Sequence, residues 1–189
     1  MRIVGGEFRS RVLKAPPGRD TRPILARVRE AVFSMLSPRL MDARVADLFS
    51  GSGIIGFEAL SRGAASVDFF ESGSAARRVI EENAELLRVG DRATLHRRPL
   101  PQAITPGAPW DIVFVDPPWG KQLGGPAAQA VLAAGRLHPE GRLIMRERVG
   151  MQDDESTWID RGFELLDERH YGESAVQVLA TLPSQADPG

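Results

Sequence analysis

The chain has 189 residues, 42% apolar and 26% charged, with no cysteine, a composition that suits one soluble folded domain and excludes disulfides and cysteine-based zinc sites. MRIVGGEFRSR at the N-terminus lacks the apolar run of a secretion signal, and no uncharged stretch is long enough for a bilayer, so a cytoplasmic protein is expected. Net charge is −1, yet residues 1–40 carry nine Lys/Arg against three Asp/Glu and the remainder fifteen against twenty-two, a split that points to a polyanionic partner.

In chain order, Arg2–Gly5 and Phe8–Leu13 read as two short β-prone runs turned at Gly6-Glu7. KAPPGRDTRP should be irregular, with Thr21 and Pro23 opening a helix that Pro38 ends. From Arg44 the pattern alternates. RVADLF, SVDFFE, ATLHR, WDIVFVD and GRLIMRE read as strands, and IIGFEALSRG, SAARRVIEENAELLRVG and PAAQAVLAAGR as helices between them. After a short helical or irregular piece, FELLDERHYG and SAVQVLATL read as a hairpin turned at Gly172. Strands spaced by helices imply a mostly parallel sheet with helices on both faces, and the late hairpin adds an antiparallel strand. Right-handed crossovers then bring the strand ends to one ligand-binding rim. The organisation expected is a basic N-terminal hairpin extension over 1–23, a domain over 24–182 and a disordered tail over 183–189.

The first of these strands runs into DLFSGSGIIG, where Gly51, Gly53 and Gly56 have dinucleotide-loop spacing between a strand and a helix. Glu71 ends the next strand, placed to accept both hydroxyls of a ribose. Asp47 precedes the loop. A carboxylate there repels a pyrophosphate but can accept from an ammonium, which favours a cationic nucleoside such as S-adenosylmethionine over a nicotinamide cofactor.

The stretch FVDPPWG carries the second motif. Asp116 ends a strand; Pro117 and Pro118 lack N–H groups and leave carbonyls as the backbone polar atoms; Trp119 adds a flat face. Two acceptors and a stacking ring suit a planar base with an exocyclic amine. Acceptors that hold both amine hydrogens free the nitrogen lone pair for in-line attack on a methyl group.

Together these residues resemble class I S-adenosylmethionine-dependent methyltransferases that modify exocyclic amines. IVGG, RVLKAPPG, TRP, RVREAVFSML, DLFSGSGIIGFEALSRGA, DPPWGK and HYGES, in that order, resemble the RsmD family of 16S rRNA guanine-N2 methyltransferases over about residues 1–182. The resemblance implies a Rossmann-like domain with a seven-stranded sheet and an N-terminal extension that engages RNA. It implies catalytic roles for Asp116, Pro117, Pro118 and Trp119. Cofactor contacts would come from Asp47, Phe49, Ser50, Gly51, Ser52, Gly53, Gly56, Glu71, Ser72 and Asp116. The HRRPLPQA segment has no carboxylate where many methyltransferases bind the adenine amine, so Arg98, Pro99 and Leu100 would serve through backbone and packing, or adenine would be held less specifically. RNA phosphates would meet Arg2, Arg9, Arg11, Lys14, Arg19 and Arg22, with Arg27 and Arg29 as further candidates. Ile24, Leu25 and Ala26 stand where relatives have polar residues. No metal is expected, since His96, His138 and His170 are dispersed, and Trp110 and Trp158 read as packing residues. A monomer acting on 16S rRNA or an assembling small subunit is expected. An adenine-N6 methyltransferase, a nicotinamide oxidoreductase and a non-catalytic RNA-binding module stand as alternatives.

Overall fold

The computed structural model describes residues 1–16 and 26–182. The Thr21–Pro23 helix start, Arg19, Arg22, Ile24, Leu25 and the 183–189 tail lie outside the described residues.

After the N-terminal segment come α1 (Ala26–Leu36), β1 (Arg44–Leu48), α2 (Ile54–Ser61), β2 (Ser66–Phe70), α3 (Ser74–Leu87) and β3 (Ala93–His96). They are followed by β4 (Trp110–Val115), α4 (Gly124–Ala133), β5 (Leu137–Arg148), α5 (Glu155–Asp160), β6 (Phe163–Tyr171) and β7 (Ser174–Thr181). The seven strands form one sheet in the order β3-β2-β1-β4-β5-β7-β6. β7 runs antiparallel between β5 and β6, and the other pairings are parallel.

Period-two alternation divides the core. Ile112 and Phe114 of β4 join Val45, Ile144 and Val176 under α1, α2 and α3. Val113 and Val115 join Leu48, Leu143 and Met145 on the opposite face, against Ala127 and Val131 of α4 and Trp158 of α5. Strands buried on both faces read as continuous apolar runs, which is why VADLF and DIVFV stand out in the sequence. Trp110 and Trp158 are both 1% exposed, and each indole N–H is satisfied, by Asp68 Oδ2 at 2.6 Å and Gln177 Oε1 at 2.9 Å.

β5 begins earlier than its sequence pattern. Leu137 already pairs with Trp110, and a register shift separates that pair from Ile112–Arg142. The sequence pattern starts this strand only at Gly141, but proline fits a strand where a bulge leaves no N–H to pair.

The N-terminal residues pair antiparallel, with a bridge between Arg2 and Val12 and a turn over residues 5–10. This segment is fastened to the domain. Ile3 is fully buried and Leu13 is 2% exposed. Glu58 of α2, itself fully buried, accepts the Val4 and Gly5 N–H groups at 2.9 and 2.8 Å. Asn83 of α3 ties the Lys14 N–H (2.9 Å) and carbonyl (3.2 Å) to the Ser52 carbonyl (3.2 Å). Arg29, a further candidate for RNA phosphate contact, is instead 3% exposed, bonded to the Arg2 carbonyl and paired with Glu58 at 3.4 Å. It belongs to the anchor. Helical periodicity could not reveal this, because the residues covering Arg29 come from another part of the chain.

Candidate active site

β1 delivers the glycine loop to the sheet's C-terminal rim. Ser50 pins it there: its Oγ donates to the Asp47 carbonyl (2.6 Å) and accepts the Phe70 N–H (2.9 Å). Phe49, Gly51 and Gly53 have φ of +62°, +56° and +76°. Phe49 takes the left-handed conformation despite its side chain, a local cost that fixes the loop. The three glycines differ in purpose. A Cβ on Gly51 would meet nothing within 4 Å, so that position faces open space. One on Gly56 would lie 2.3 Å from Phe69 Cε1, so that glycine lets α2 approach β2. Gly53 opens α2 and packs against Phe57.

Asp47 is 1% exposed. Its Oδ2 accepts the Gly56 N–H at 3.1 Å, while its Oδ1 is buried without a hydrogen-bond partner. Burial, reinforced by the Asp116 and Glu71 carboxylates, pushes its carboxyl up to about 8. A desolvated acid with an open acceptor suits a cationic ligand, whose charge would restore the ionised form. Glu71 spans the loop, accepting from Gly51 N–H at 2.9 Å and Gly73 N–H at 2.7 Å. Each of its oxygens keeps acceptor capacity for a hydroxyl. Ser72, Arg98 and Pro99 are exposed, and Leu100 is half-buried against the α4 side of the core. The chemistry of this donor and acceptor set fits S-adenosylmethionine: Asp47 for an ammonium, Glu71 for a ribose and the Gly51 turn as the floor.

Asp116 follows β4, which pairs with β1 so that Asp47 lies opposite Phe114 and Leu48 opposite Val115. The tetrad and the glycine loop therefore share one rim. Pro117 is buried, Pro118 exposed and Trp119 half-buried. The Pro118 carbonyl accepts the Lys121 N–H at 3.3 Å, which turns the chain back. Burial pushes the Asp116 carboxyl up, and a neighbouring arginine opposes this. That neighbour, Arg146 of β5, places a two-pronged fork on the carboxylate, Nε to Oδ1 at 2.8 Å and Nη2 to Oδ2 at 2.9 Å. Arg146 lies outside the site residues expected from the sequence. Its signal was an arginine inside the apolar run LIMRE.

Of the arginines assigned to RNA, Arg2, Arg9 and Arg11 are exposed, as is Lys14, which pairs with Glu82 at 2.8 Å. The turn carrying Phe8 bonds to Ser61 at the C-terminal end of α2, away from the rim where α2 begins. His96 is engaged by Asp68 at 2.8 Å. Among the described residues no group of three or more His, Asp and Glu gathers as a metal site, and no helix is long and apolar enough to cross a membrane.

A family model described as conserved hypothetical protein 95 matches residues 1–180. The chain belongs to that family. It is 38% identical over 123 residues to ribosomal RNA small subunit methyltransferase D of Escherichia coli, covering 65% of this chain and 62% of that protein. It is 31% identical over 153 residues to the protein of the same name in Haemophilus influenzae, covering 77% of each. Among solved structures, the Escherichia coli protein yhhF superposes with a TM-score of 0.83 at 31% identity, over 97% of this chain and 99% of that one. A putative methylase from Haemophilus influenzae superposes with a TM-score of 0.79 at 27% identity, over 96% and 98%. The Escherichia coli sequence match thus spans under two thirds of that relative, while the structural likeness to yhhF runs nearly end to end.

Proposed function

We propose that the protein transfers a methyl group from S-adenosylmethionine to the exocyclic N2 of a guanine in 16S rRNA, as a cytoplasmic monomer acting on rRNA or an assembling small subunit. The observation that carries this reading is the convergence on one rim of a buried, partner-seeking Asp47 carboxyl and the Asp116-Pro117-Pro118-Trp119 tetrad. The relatives' names agree with it.

When bound, S-adenosylmethionine supplies an electrophilic methyl group: its C–S bond breaks as the N–C bond forms, and the sulfonium becomes a thioether. Asp47 would hold the ammonium, Glu71 the ribose and the 49–53 turn the backbone contacts. Asp116 and the Pro117 carbonyl would accept the two amine hydrogens and Trp119 would stack on the base, which must leave its helix to arrive there. Positioning and charge placement would supply the rate. The exposed Arg2, Arg9, Arg11 and Lys14, with Arg19 and Arg22, would supply phosphate contacts without reading sequence.

Incubation of unmodified small subunits, free rRNA and DNA with labelled cofactor, followed by digestion to nucleosides, tests the reading. The expected product is N2-methylguanosine from an RNA substrate, with kcat reduced about 100-fold or more in Asp116→Ala. Label in N6-methyladenosine, or none anywhere, would overturn it.

A further inference from the structure

Four neighbouring strands present polar side chains to the α1 face of the sheet at the rim: Asp47 from β1, Asp116 just past β4, Arg146 from β5 and Ser174 from β7. Alternation requires this. Asp116 follows Phe114 in phase, Arg146 follows Ile144 and Ser174 precedes Val176, all core residues of that face. Arg146 is 9% exposed. Besides its fork on Asp116 it donates from Nη1 to Ser174 Oγ at 3.3 Å, and its Cζ stands 5.4 Å from the centre of the Trp119 ring. One guanidinium thus reaches the tetrad's first residue and its last.

A carboxylate offers about four lone-pair sites, and a fork takes one on each oxygen. The others remain able to accept from an amine. The Arg146 charge opposes the burial that pushes the Asp116 carboxyl up, and so favours the ionised, accepting form that can orient an N–H.

We propose that Arg146 is a positioning residue for methyl transfer, holding Asp116 as an oriented, ionised acceptor and bracing Trp119. The inference rests on the reading of the tetrad as an amine-methylating site. As the amine nitrogen gains its bond to carbon, the positive charge arrives on nitrogen, one proton then leaves to solvent, and Asp116 remains a carboxylate throughout. Without Arg146, Asp116 would face Asp47 from β1 and Glu147 from β5, both acids, with Arg29 of α1 the cation across the adjoining cleft. Its proton affinity would rise.

The test uses the full chain with Arg146→Met and Arg146→Lys. The first readout needs no activity: carbon NMR of Cγ-labelled aspartate through a pH titration, with the Asp116 signal assigned by its loss in Asp116→Asn. The second is the pH profile of kcat on small subunits, with KM for the RNA. In Arg146→Met the Asp116 titration and the acid limb of kcat both move up by about one pH unit or more. Below the limb, kcat falls about tenfold per unit of that shift, while KM stays within about twofold. Arg146→Lys keeps the charge and loses the fork, so its limb stays near wild type while kcat remains reduced. An unmoved Asp116 titration, or a uniform loss of kcat with an unmoved limb in both variants, would overturn the proposal. If the wild-type protein methylates no RNA, the functional reading fails and Arg146's role in transfer with it; the NMR titration separates that result from a failure of the Arg146–Asp116 pairing itself.

Discussion

Asp47 Oδ1 is buried without a partner at the end of β1, with its carboxyl pushed up to about 8 by burial and then by Asp116 and Glu71. The sign of its effect on stability follows. An acid whose folded pKa exceeds its unfolded value binds more protons when folded, so its contribution is full below the unfolded value, about 4, and is lost as pH rises to the folded one. Asp47→Asn should therefore make the ligand-free protein more resistant to urea near pH 8, and its stability should decline less between about pH 4 and pH 8. The same substitution should weaken S-adenosylmethionine about tenfold or more, as titration calorimetry would read, because a charged hydrogen bond to the ammonium is lost. Asp47, Glu71 and Asp116 were readable in the sequence because each sits at a strand end, where side chains reach the rim. Arg146 was not: its meaning depends on β5 lying beside β4, and residue order alone does not supply strand adjacency.

α2 joins the glycine loop to the N-terminal segment. Glu58 collects the Val4 and Gly5 amides, Arg29 and Arg62, the last at 2.8 Å. Glu58→Ala removes the buried carboxylate that pairs with Arg29 and Arg62 and should cost about 3–5 kcal/mol in urea unfolding. Hydrogen exchange should show protection lost at the Val4 and Gly5 amides first. Gly56→Ala drives a methyl into the Phe69 ring and should cost about 1–3 kcal/mol, with α2 displaced from β2 and the Asp47–Gly56 bond with it. The elements carrying these residues were legible because period-two and helical patterns are local. The Leu137–Glu140 part of β5 was not, because its pairing with Trp110 runs through a register shift around a proline. Likewise Glu58 reads as an ordinary helical acid until four groups from three parts of the chain surround it.

Across the whole molecule, the basic N-terminal segment packs on the α2 and α3 side, and its Lys14 end is joined through Asn83 to the Ser52 carbonyl of the glycine loop. RNA held by Arg9 and Arg11 should bind with a salt dependence set by the phosphates they neutralise. Arg9→Ala with Arg11→Ala should lower the slope of log affinity against log salt by about 0.7–0.9 for each phosphate no longer neutralised, while Asp116→Ala leaves it unchanged, measured by fluorescence anisotropy from low to moderate salt. The elements, the parallel architecture, the glycine loop and the DPPW tetrad lay open in the amino-acid order, since each is a matter of residue type and spacing over short stretches. The fork of Arg146 on Asp116, the anchoring of the N-terminus by Glu58 and Arg29, the packing purpose of Gly56 and the unsatisfied oxygen of Asp47 came from folding. Each joins groups distant in the chain, and burial and strand adjacency set their energies only once the sheet has assembled.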